Sequence, residues 1–85
     1  MKTVIREMRG IPYFLLKEYL QELGGKLVAA DVVAGEGWSV RLEKMEPFRL
    51  KSLSVGQTRL TMEIHEDIYD DFMARFSMKT LRAGA

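Results

Sequence analysis

Arg41 and Arg49 are the residues whose types and spacing best suit binding chemistry, because two guanidinium forks can hold a carboxylate or phosphate between them. A strand pairing that sets Leu42 against Phe48 lines up Asp31, Arg41, Arg49 and Glu63 in one row across four strands, in the order acid, base, base, acid. In such a row the acids can neutralise the arginines across the strands, so a solvated charge ladder competes with an anion site. His65 with Glu66, Asp67, Asp70 and Asp71 has the residue types of a divalent-cation site, and helical spacing brings Glu66 near Asp70 and Asp67 near Asp71. The same carboxylates are what the positive end of a helix attracts, and that reading is preferred. No metal or cofactor is expected. His65 could act as a general base, but Ser39, Ser52, Ser54 and Ser77 lie in no nucleophile motif and no convergent titratable set accompanies it. Gly24-Gly25 and Gly35-Glu36-Gly37 match no phosphate-binding loop. An enzyme is therefore not expected.

The elements that must position these residues centre on the stretch from Leu27 to Ile64, which reads as four consecutive antiparallel strands. Trp38, Val40 and Leu42 alternate with Ser39, Arg41 and Glu43, the period of a half-buried strand. That phase makes Trp38 a core residue rather than a stacking platform. Val28, Ala30, Val32 and Ala34 recur at the same spacing, and Gly35-Glu36-Gly37 reads as a three-residue hairpin loop with Gly37 in the left-handed position. Ala34 then faces Trp38, Val32 faces Val40 and Ala30 faces Leu42, which leaves Leu27, Ala29 and Val33 on the outward side. Gly56-Gln57 reads as a two-residue turn pairing Leu53 with Leu60. A β-bulge near Lys51-Ser52 is then needed to set Leu50 by Met62 and Phe48 by Ile64.

Before this meander, Val4 to Met8 reads as a short strand broken by Gly10-Ile11-Pro12. Leu16, Tyr19, Leu20 and Leu23 then form a helical stripe that ends at Gly24-Gly25. After it, Ile68, Tyr69, Phe72, Met73 and Phe76 form a second stripe, with the acids at its start and Arg75, Lys79 and Arg82 following. The tail from Leu81 to Ala85 is expected to fray. The predicted architecture is α+β: a two-layer sandwich of order β-α-β-β-β-β-α, with an antiparallel sheet and both helices on one face.

Eighty-five residues make one domain, 1–85, with a modest core. Thirteen basic and twelve acidic residues spread evenly give a formal charge of +1, which argues against a general nucleic-acid or membrane-surface role. The chain has no cysteine, hence no disulfide and no thiolate metal site. No apolar run approaches the ~20 residues that span a bilayer. Met1 leads directly into Lys2-Thr3-Val4-Ile5 without a signal-peptide core, so a cytoplasmic location is expected.

Gly10-Ile11-Pro12, Tyr19-Leu20 with Leu23-Gly24-Gly25, Gly35-Glu36-Gly37-Trp38 and the closing Phe76 to Arg82 resemble one known domain. It is the C-terminal domain of bacterial proteins related to the molybdopterin-synthase small subunit. The resemblance covers most of the chain and implies a β-α-β4-α fold of the TATA-binding-protein-like kind, in agreement with the order read from the residues. It implies no activity. In those proteins a ubiquitin-like sulfur-carrier domain precedes this one, and a sulfur carrier needs a terminal Gly-Gly. This chain starts without such a domain and closes Leu81-Arg82-Ala83-Gly84-Ala85, so the expectation is an accessory role beside that chemistry rather than sulfur carriage.

The leading functional expectation is a non-catalytic interaction module that binds a protein partner or a second copy through the outer sheet face. Leu27, Asp31, Val33, Arg41, Arg49 and Glu63 are its candidate contacts. Anion binding at Arg41 and Arg49 is the first alternative. Single-stranded nucleic-acid binding is the second, and it needs an exposed aromatic beside basic residues. Phe48 and Trp38 both read as buried, which places it below the others.

Overall fold

The computed structural model describes residues 1–82. Its elements are β1 (Lys2–Arg9), α1 (Tyr13–Glu22), β2 (Lys26–Ala29), β3 (Val32–Gly35), β4 (Trp38–Leu50), β5 (Leu53–Ile64), a single 3-10 turn (Glu66–Ile68) and α2 (Tyr69–Arg82). The fold is α+β, with one open antiparallel sheet in the order β1-β5-β4-β3-β2. Leu81 and Arg82 belong to α2, and the rest of the fraying expectation, on residues 83–85, lies outside the described residues.

Both helical stripes form as their spacing predicts. Pro12, at φ −59°, precedes the first turn of α1, and Leu16 and Leu20 one turn apart are fully buried. In α2, Phe72 and Phe76 are buried, while Ile68, Tyr69 and Met73 pack against the same cluster. That cluster also takes Val33, Trp38, Val40, Leu42, Leu60, Met62 and Ile64 from the sheet. Asp70 and Asp71 lie in the first turn of α2, and Asp71 pairs with Arg75 at 3.0 Å.

The strands are cut at other places than the sequence predicts. Residues 28–34 are a hairpin, not one strand, because the chain turns at Ala30-Asp31. The next loop holds two residues, Glu36 and Gly37, so Gly35 faces Trp38, Ala34 faces Ser39 and Val33 faces Val40. Gly37 does take the left-handed conformation, at φ 83°. The expected three-residue loop is one residue too long, and that slip inverts the strand. Val32-Val33-Ala34 is apolar at every position, so either phase looks buried. The bulk of Trp38 decides between them: a side chain on Gly35 would come within 2.5 Å of the indole.

Gly56-Gln57 is not a turn. β5 runs straight through it because β1 zips along its other side, Arg9 facing Gln57 and the Gly10 N–H donating to the Gly56 carbonyl at 3.0 Å. The turn is instead Lys51-Ser52, between the paired Leu50 and Leu53, with Lys51 at φ 55°. An extra residue does occur in β4, but between Met45 and Phe48 rather than at Lys51-Ser52. Pro47 explains its position: proline donates no ladder hydrogen bond and is tolerated within sheets at bulges. Beyond this bulge the 13-residue β4 and the 12-residue β5 continue as a two-stranded ribbon. At ~3.3 Å per residue such a strand spans about 40 Å, close to the 43 Å long axis of the molecule.

Candidate functional site

The register determines which side chains share the outer side of the sheet. Residues facing one another across an antiparallel ladder lie on the same face. Val33, Val40 and Met62 form one row on the core side. Val32, Arg41, Thr61 and Ile5 form the next, on the outer side. Glu63 lies in an outer row with Ser39 and Thr3, and Glu43 with Arg59 and Glu7. Arg59 and Glu7 are joined at 3.3 Å.

The predicted row of Asp31, Arg41, Arg49 and Glu63 does not form. Arg41 faces Thr61, Arg49 faces Ser54, and Glu63 faces Ser39. The two arginines lie on one strand eight residues apart, roughly 25 Å at strand rise. The bulge between them also leaves Arg49 on the side opposite Arg41. No single anion reaches both, which removes the paired-arginine site. Asp31 sits in the β2–β3 turn, where its carbonyl accepts from the Leu42 N–H at 2.8 Å. What remains is an outer depression of about 250 Å³ lined by Arg41, Glu43 and Glu63 with Val32, Ser39 and Thr61. Arg41 is exposed there, and Arg41→Ala is expected to change the free energy of unfolding by less than about 0.5 kcal/mol in a urea titration.

Two other predicted contacts change sides. Val33 is fully buried in the core, and Leu27, which faces Val33 in the ladder, lies on the core side at the sheet edge, 48% exposed. Ala29 faces Val32 and does lie outward. Trp38, as its phase indicates, is buried, its ring 4.7 Å from that of Phe72. His65 follows β5 and caps the next turn: its Nδ1 accepts from the Asp67 backbone N–H at 3.2 Å, and its backbone N–H donates to the Gly37 carbonyl at 2.7 Å. Among the described residues, no three His, Asp or Glu side chains converge as a metal site would require.

The most exposed apolar group on the outer side lies where sequence reasoning put core. The bulge turns Phe48 and Leu50 outward, where they meet Val55 and Leu53 across the ribbon. Leu50 is 57% exposed and Leu53 66%, while Phe48 and Val55 are half-buried. The Arg9 guanidinium lies over the Phe48 ring at 4.1 Å. Pro47 is the signal that could have found this group, since a bulge at a proline inverts every side chain beyond it.

These features define a small α+β open-sheet domain whose outer surface mixes charge with an apolar ribbon tip. The chain belongs to the archaeal MoaD-like protein family, whose model matches residues 4–85. Comparison with curated proteins finds no match.

Proposed function

We propose that this protein is a non-catalytic interaction module that binds a protein partner, or a second copy of itself, through the outer face of its sheet. The observation that carries the reading is the ribbon tip, where Phe48, Leu50, Leu53 and Val55 share one face and two leucines are more than half exposed. Apolar side chains in one contiguous group beside a charged surface are what a contact patch requires. In this reading the sheet and helices form a two-layer sandwich of the TATA-binding-protein-like kind, both helices on one face and the other free for contact. The module works in the cytoplasm, accessory to molybdopterin or sulfur-carrier chemistry, a reading supported by its membership of a MoaD-like family.

Sedimentation velocity over a concentration series tests self-association, and titration with a sulfur-carrier protein tests the partner. Burying each leucine contributes about 1–2 kcal/mol, so Leu50→Asp with Leu53→Asp is expected to weaken association at least tenfold. The same pair leaves the melting temperature within a few degrees, because neither side chain belongs to the core. A wild-type protein that stays monomeric throughout, with no binding sensitive to these substitutions, ends the proposal.

Single-stranded nucleic-acid binding has one observation in its favour, the accessible Phe48 with Arg9 against it. Glu7, Glu43 and Glu63 on the same face oppose it. Anisotropy with a labelled oligothymidine settles the choice: retention that weakens as salt rises supports it, and none dismisses it.

A further inference from the structure

A groove lies at the base of the ribbon, between the start of α1 and strands β4 and β5. It has a volume of about 430 Å³ and is lined by Ile11, by Tyr13 and Phe14 at the start of α1, by Lys44 of β4 and by Gly56 and Thr58 of β5. A second hollow of about 350 Å³ adjoins it, sharing Ile11, Pro12 and Gly56. Volumes of this order suit small organic molecules.

Gly56 is the informative residue. Its φ is not left-handed, and a Cβ placed on it would meet nothing within 4 Å. Neither conformation nor packing within the chain calls for glycine there, and glycine inside a strand weakens the strand. It occupies the same phase as Thr58 and Leu60, so the absent side chain leaves the groove floor open. Thr58, only 2% exposed, completes that floor.

The walls specify the chemistry. Phe14 is 66% exposed in a helix whose other apolar side chains are buried or half-buried, so a flat aromatic face is presented at the rim. Lys44 lines the groove with its ammonium 5.1 Å from the Tyr13 ring, and Lys17 lies 4.6 Å from the same ring. No lining residue is acidic, and among the described residues Lys44 has no ion pair. No side chain caps the first turn of α1, which opens onto the same space and adds the positive end of its dipole. We infer that this groove binds a small organic anion: an aromatic or aliphatic body against Phe14, Tyr13 and Gly56, with its carboxylate, sulfonate or phosphate beside Lys44.

The inference is tested on the whole chain with 8-anilino-1-naphthalenesulfonate, followed by fluorescence and by backbone amide shifts. Binding is expected to move the amides of Phe14, Gly56 and Thr58. Gly56→Leu fills the floor and Lys44→Glu reverses the rim charge, and each is expected to weaken binding at least tenfold. Gly56→Leu should melt no lower than the wild type, which separates a filled groove from a damaged fold. Where it melts lower, Lys44→Glu alone decides. The neutral analogue N-phenyl-1-naphthylamine should bind at least tenfold more weakly, while octanoate and phenyl phosphate should shift the same amides. The inference is overturned if binding survives Lys44→Glu, if the moved amides are those of Leu50 and Leu53, or if inorganic phosphate alone gives the full pattern.

Discussion

Val33→Asp is expected to leave the protein largely unfolded. Val33 is fully buried, between Val40 and Leu27 in the ladder, and the same side chain lies where any Cβ on Gly25 would collide, at 2.6 Å. Placing a carboxylate there costs several kcal/mol in desolvation with no cation to receive it. It also forfeits about 1.5–3 kcal/mol of apolar burial. A domain of this length has a net stability of roughly 4–13 kcal/mol, so the substitution consumes most of it. Val32→Asp, one residue away on the outer side, should stay folded and lose no more than about 1–2 kcal/mol. Urea titrations followed by far-ultraviolet circular dichroism compare the two. A Val33→Asp protein as stable as the wild type would mean that Val33 faces solvent, as the three-residue loop requires, and that the register is wrong.

Trp38→Ala should have the next largest effect, destabilising by about 3–5 kcal/mol through loss of burial and the cavity left behind. At about 4–8 °C per kcal/mol for a domain of this size, the melting temperature should fall by more than 10 °C. The indole is the hinge of the aromatic core, tilted 45° against Phe72, which in turn stacks on Phe76 with centroids 6.4 Å apart. It also lies over two glycines. A Cβ on Gly35 would approach the indole to 2.5 Å and one on Gly25 to 2.6 Å. Gly35→Ala should therefore be costly in the wild type and much less so with Trp38→Ala, a coupling of about 1–2 kcal/mol in a double-mutant cycle. Additive effects would show that Gly35 is not glycine on the indole's account.

The candidate surface was only partly legible in the sequence. Arg41 and Glu63 lie outward as their alternation requires, because each sits between apolar residues whose phase is unambiguous. Sequence phase puts Leu27 and Val33 on the wrong side and draws Phe48, Leu50 and Leu53 into the core. All five err for one reason: a strand's phase depends on where each turn and bulge falls, and the sequence does not mark every one. Gly56 has the chemistry of a turn residue, and only the pairing of β1 with β5 carries the strand straight through it.

The sequence by itself determined what depends on neighbours in the chain. Both helices, their buried stripes and the left-handed Gly37 follow from residue types within one or two turns of one another. Only the tertiary structure decided where the strands break and which side each residue takes. Those choices are made between distant segments: Trp38 against Gly35, β1 along β5, and Pro47 opening the ladder. A shift of one residue costs little in local propensity, yet it exchanges core for surface along the whole strand.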